Sequence, residues 1–136
     1  MLQISFNQGI GENEVKLIRE KVQAECIALK MAPKNGFILL FVVDELSCNI
    51  MEHAHATWME LKIDTDASKF SATLRDDGVP FDTGAEVSEA KQKMVTGEGG
   101  ERRLGLSLIG RLVDKINYSR DKGVNQVVLE KAWQIA

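Results

Sequence analysis

Glu45, Asn49, Glu52 and His53 sit inside an otherwise apolar stretch, residues 41–56, FVVDELSCNIMEHAHA. At about 100° per residue they fall in one narrow stripe of a helix. Ile50, Val43, Met51, Leu40 and Ala54 take the opposite side, so this helix is expected to bury its back and present polar groups along its front. A helix that only packs has no need of an acid, an amide and an imidazole on one line. Two further groups could carry chemistry. Asp76-Asp77-Gly78 follows an alternating run, and Gly97, Gly99 and Gly100 precede Arg102, Arg103 and the helical stretch Leu104-Gly105-Leu106-Ser107.

Each group also has a plain structural reading. Glu45 and Asn49 are one helical turn apart and can form a hydrogen-bonded pair on a solvated face. Asp-Gly closed by Pro80 is a common turn. The glycines and arginines can make a solvated loop, and they lack the Lys-Ser/Thr ending of a Walker loop. In combination the three say more. A magnesium nucleotide requires an oxygen ligand for the metal, a carboxylate for the base, and helix N-terminal N–H groups for phosphates. Asn49 offers the neutral oxygen, Glu45 a carboxylate able to take a proton, Asp76 an acceptor for an adenine amino group, and Gly78 room for a flat ligand. A zinc site from Cys48, His53 and His55 is disfavoured, because residues two apart on a helix point in different directions.

The remaining chain must position these groups. Leu2, Ile4 and Phe6 alternate with polar residues and predict an opening strand. Apolar residues from Val15 to Met31 recur at helical spacing and predict a helix over 12–31, closed by Pro33 and Gly36. The striped helix is expected over 36–57. Two short strands follow, carrying Trp58, Leu61, Ile63, Phe70, Ala72 and Leu74 around a turn at 64–69. Residues 82–103 read as a long mobile lid with one short helix near 87–94. Leu106, Leu108, Ile109, Leu112 and Val113 predict core positions of a further helix, and two closing strands flank 121–123. The order predicts an α+β two-layer sandwich, a mostly antiparallel sheet with helices on one face.

The 136 residues, 44% of them hydrophobic, fit a single domain over 1–136. The net charge of -3 gives no broad basic surface for direct nucleic-acid binding. Two cysteines make no disulfide framework, and no apolar run reaches the roughly 20 residues a bilayer span requires. These features fit a cytoplasmic protein with no membrane segment.

The three groups together resemble the GHKL ATPases, and within them the anti-sigma-factor serine kinases of bacteria, in what is called a Bergerat-type ATP-binding fold. Residues 44–54, DELSCNIMEHA, are similar to the family's N box. Residues 75–82, RDDGVPFD, resemble its first glycine box, and 104–109, LGLSLI, its second. The resemblance implies that Asn49 binds magnesium, Glu45 activates the hydroxyl to be phosphorylated, Asp76 holds the adenine amino group and Gly78 lies against the base. His53, Phe81, Gly100, Arg103, Leu104, Gly105, Leu106 and Ser107 would complete the nucleotide site, with Gly105 and its neighbours holding phosphates. It implies ATP and Mg2+ as cofactors, a homodimer, a sigma factor or similar regulator as one partner, and an anti-anti-sigma protein whose serine receives the γ-phosphate. The chain departs from the family pattern at Arg103, where a glycine is common, and at Asn125 and Gln126, where a threonine commonly approaches the nucleotide. Arg103 favours the alternative reading of a nucleotide-binding, partner-switching regulator with little or no kinase activity.

Overall fold

A computed structural model describes residues 1–96 and 101–133. Five strands, β1 (Leu2–Phe6), β2 (Met59–Thr65), β3 (Lys69–Asp76), β4 (Lys115–Asp121) and β5 (Val124–Ala132), form one sheet in the order β1-β2-β3-β5-β4. Every neighbouring pair is antiparallel. Alternation along the strands sorts the two faces. Ile4, Leu61, Ile63, Ala72, Leu74 and Leu129 point into the core, while Glu60, Lys62, Thr73, Arg75 and Glu130 are half-buried on the opposite face.

Helices α1 (Glu12–Ala28), α2 (Pro33–Asn49), α3 (Thr83–Thr96) and α4 (Glu101–Leu112) cover the apolar face. Val15, Ile18 and Val22 are the buried stripe of α1. Leu17 and Ile27, which share the apolar count of that helix, are 38% and 72% exposed, because their angular positions lie off the stripe. Helix α1 stops before the expected Met31. Lys30 takes φ 52°, Lys30 N–H donates to Ile27 O at 3.0 Å, and Met31 N–H to Cys26 O at 3.0 Å, the Schellman closure of a helix end. The sequence hides this stop because lysine, not glycine, holds the left-handed position. Pro33 then opens α2 three residues before the expected Gly36, its fixed φ suiting the first helical turn.

The expected lid is also different. Thr83–Thr96 is one continuous helix of 14 residues rather than a short one near 87–94. Asp82 starts it: its Oδ1 accepts from Ala85 N at 3.0 Å and its carbonyl from Glu86 N at 2.9 Å. Val87 and Ala90 enter the core, and α3 packs against α4. Residues 97–100, including Gly97, Gly99 and Gly100 of the expected glycine loop, lie outside the described residues. Among the described residues no helix is long and apolar enough to cross a membrane.

Candidate nucleotide site

The striped helix does not run on as one α-helix. Helix α2 ends at Asn49, and Ile50–Ala54 forms a π-helical turn that His55 closes with φ 51°. A π turn holds one more residue than an α turn, so it rotates everything after it. Asn49 and His53 keep facing the same way, but Ile50 and Ala54, expected on the back with Val43 and Leu40, come round to line the same cleft. Glu52 leaves the stripe, its side chain 49% exposed beside His53.

The cleft lies between this turn and the ends of β3 and β5 and encloses about 470 Å³, part of it open to solvent. Its walls are Leu46, Asn49, Ile50, His53 and Ala54 on one side and Leu74, Asp76, Asn125 and Val127 on the other, with Val79, Phe81 and Thr83 at its margin. The interior is mainly apolar with a few convergent polar groups, the usual composition of a small-molecule site.

Sheet register brings the polar pair of the far wall together, since Asp76 and Asn125 are directly opposed on β3 and β5. Asp76 Oδ1 accepts from Gly78 N at 2.8 Å and Asn125 Nδ2 at 3.1 Å. Asn125 Nδ2 also reaches the carbonyls of Val79 at 2.9 Å and Gly78 at 3.3 Å. Its oxygen accepts from Tyr118 Oη at 2.7 Å and Arg120 Nη1 at 2.8 Å. Donors on one end and acceptors on the other fix which way this buried amide points. Asp76 is 6% exposed, and burial pushes its carboxyl above the ordinary value of 3.8, with the Asn125 and Gly78 donors pulling the other way.

Asp77, the next residue, is a fastener. Its oxygens accept from Thr57 N at 2.8 Å, Thr57 Oγ1 at 2.5 Å and Trp58 N at 3.0 Å, tying the exit of the π turn to the end of β3. The Thr57 hydroxyl bond, foremost, holds its carboxyl below the ordinary value. Gly78 is tied to the same turn. A Cβ there would stand 2.3 Å from Ala54 O, which also accepts from Val79 N at 2.8 Å. Close packing against Ala54 explains this glycine, and Gly78 is not itself part of the cleft wall.

The near wall holds buried polar atoms without partners. Asn49 Nδ2 and His53 Nε2 are inaccessible to solvent and make no hydrogen bond among the described residues. His53 Nε2 lies 3.4 Å from Glu52 Oε2, outside hydrogen-bond geometry. Unpaired buried polar atoms are rare and costly, and a ligand in the cleft offers them partners. Turning the Asn49 amide about its last torsion exchanges its oxygen and nitrogen, so an oxygen can equally face the cleft. No cluster of three or more His, Cys, Asp or Glu suited to a metal occurs among the described residues.

Glu45 lies one turn before Asn49 and meets α4. A Cβ on Gly105 would stand 2.3 Å from Glu45 Oε1 and 2.5 Å from its carboxyl carbon, so the carboxylate rests against the α4 backbone. Leu106 is in the hydrophobic core and Ser107 is buried, and neither lines the cleft. Gly100 and the side chains of Arg103 and Leu104 lie outside the described residues.

The profile described as "Histidine kinase-like ATPase domain" matches residues 12–131. The chain belongs to this family. Among proteins of curated function, none matches it significantly in sequence. In structure, this histidine kinase-like ATPase is similar to a chain of the SiaB-SiaC complex from Pseudomonas aeruginosa, with TM-score 0.62 and 17% identity over 96% of this chain and 89% of that one. It is also similar to the catalytic domain of histidine kinase ThkA, with TM-score 0.50 and 17% identity over 100% of both chains. At this identity the likeness is one of fold, an α+β fold with a wholly antiparallel sheet. The family is one of ATP-binding domains, and the cleft beside Asp76 is the candidate nucleotide site of this one. Thr83, Tyr118 and Arg120 join or brace it without having stood out in the sequence, and Asn125 stood out only as a departure from the family pattern. The pairing of Asp76 with the closing strand is the signal that leads to Asn125.

Proposed function

We propose that this domain is an anti-sigma-factor-type serine kinase that binds MgATP in the cleft and phosphorylates a partner protein. The observation that carries the reading is the cleft itself, whose walls bring Asn49 and His53, each with a buried side-chain nitrogen that makes no hydrogen bond among the described residues, together with Asp76 and Asn125. Asp76 accepts from the adenine amino group through Oδ2, the oxygen not engaged by Gly78 and Asn125. Ile50, Leu74, Val79 and Phe81 enclose the base. Asn49 would supply an oxygen to magnesium, and the first N–H groups of α4 would receive phosphate oxygens, a role in which the family resemblance also includes Gly100, Arg103 and Leu104. When bound there, magnesium would supply neutralisation of the phosphate charge.

In the transfer, the serine oxygen forms a bond to the γ-phosphorus while the bond from that phosphorus to the β–γ bridging oxygen breaks and ADP leaves. The serine proton passes to the Glu45 carboxylate. Positioning and charge stabilisation supply most of the acceleration in such reactions. The phosphoacceptor is a serine of an anti-anti-sigma protein, and the second partner is a sigma factor or similar regulator held by a homodimer of this domain in the cytoplasm. Support for a partnered role comes from the similar fold found in the SiaB-SiaC complex.

Incubation with labelled ATP and candidate anti-anti-sigma proteins tests the reading. One labelled serine on the partner is expected, together with thermal stabilisation by MgATP or MgADP of about 2.7 kcal/mol at a hundredfold excess over the dissociation constant. Arg103, standing where the family commonly has glycine, favours a second reading of a nucleotide-binding regulator that sequesters partners. Stabilisation by nucleotide with no labelled partner would select that one.

A further inference from the structure

Gly105 is the fifth residue of α4, a helix of 12 residues. The free N–H groups of a helix are those of its first turn, so the Gly105 N–H lies within the hydrogen-bonded ladder. Phosphate binding through that amide therefore does not explain the glycine, and a glycine inside a helix is less stable there than alanine. Something else must require the missing side chain. The three atoms nearest the empty Cβ position, outside the helix's own backbone, all belong to one group: Glu45 Oε1 at 2.3 Å, Cδ at 2.5 Å and Oε2 at 2.8 Å.

We infer that Gly105 is a positioning residue, whose absent side chain forms the seat in which the Glu45 carboxylate rests against α4. The seat joins α2, which carries Glu45 and Asn49, to the helix whose N-terminus faces the phosphates. It deepens the proposed function, since its chemical consequence rests on Glu45 taking the serine proton. The atoms that an added methyl would strike are the far end of a flexible side chain, so the fold can accept alanine by turning the carboxylate aside. A carboxylate displaced by about 1 Å is enough to slow a reaction on the order of a hundredfold. The Gly105 amide and the nucleotide contacts are left in place.

A double-mutant cycle of Gly105→Ala and Glu45→Ala, followed by thermal unfolding, MgATP titration and phosphotransfer, tests the seat. In the Glu45→Ala background, Gly105→Ala is expected to raise the melting temperature, because alanine favours the helix and the carboxylate nearest its methyl is gone. With Glu45 present the same substitution should raise it less or lower it. Gly105→Ala should bind MgATP within about threefold of wild type and transfer phosphate at least about tenfold more slowly. Equal melting shifts in the two backgrounds, or transfer at the wild-type rate, would overturn the inference. If the wild-type chain transfers no phosphate yet the melting shifts differ, the seat stands and the reading of Glu45 as the base fails.

Discussion

Gly78 and Gly105 are equally crowded. A methyl on either would meet an oxygen at 2.3 Å, Ala54 O in one case and Glu45 Oε1 in the other. The first obstacle is backbone, inside a turn that also accepts from Val79 N and is fastened by Asp77. The second is the tip of a side chain with three rotatable bonds. Crowding by backbone makes a glycine a requirement of the fold, whereas crowding by a movable carboxylate makes it a requirement of where that carboxylate sits. The two glycines thus constrain the chain by different means. The turn after Asp76 is tied by hydrogen bonds to the backbone around it, whereas at Gly105 a side chain is fitted against a helix.

The contrast can be broken most directly at Gly78. Gly78→Ala is expected to lower the unfolding free energy in urea by about 2–3 kcal/mol, since strained overpacking against backbone cannot relax. A midpoint unchanged from wild type would erase the distinction between the two glycines. Asn125→Leu comes next, at about 1–3 kcal/mol, because it removes the partner of Tyr118 Oη and of the Val79 carbonyl, while Arg120 keeps its bond to the Gly78 carbonyl. Its nucleotide affinity should also fall, as Asp76 loses the donor that orients it, and titration calorimetry reads that loss.

A smaller effect separates the adjacent aspartates by pH. Asp77 has its folded pKa lowered below 3.8, so the stability it contributes is present above that value and is lost as pH falls through the lowered folded pKa. Asp76 has its pKa raised, so its contribution is present below 3.8 and is lost as pH rises through the raised folded value. Asp77→Asn should therefore flatten the acid side of the stability curve, and Asp76→Asn should not. Unfolding free energies measured from strong acid to neutrality check this, and identical acid slopes for Asp77→Asn and wild type would refute the fastening role. The smallest change is expected at Arg19, whose exposed pair with Asp44 lies outside both ends of the site. Arg19→Ala should cost no more than about 1 kcal/mol, and nucleotide affinity should stay at the wild-type level.

Much of the scaffold was legible because it rests on periodicity. The alternation of Leu2, Ile4 and Phe6, the paired strands around 64–69 and the stripe of Val15, Ile18 and Val22 each follow from one face being buried. Element ends were less legible. Lys30 in a left-handed conformation stops α1 without the glycine that would have announced it, and Asp82 begins α3 ahead of Gly84, which reads as a loop residue. Of the residues that line the cleft, Asn49, His53 and Asp76 could be picked out by type and spacing. Asn125 stood out only as a departure from a family pattern, since nothing local marks an asparagine in a strand as the partner of an aspartate about fifty residues away.

The sequence by itself determined the element order, the buried faces and the polar residues of the striped helix, because propensity and period act over a few neighbouring residues. Tertiary structure decided the rest. The π turn at Ile50–Ala54 brings Ile50 and Ala54 to the cleft, register sets Asn125 beside Asp76, and packing of α4 on α2 puts Gly105 under Glu45. Each of these depends on where two distant segments meet, and only the closed core fixes that meeting.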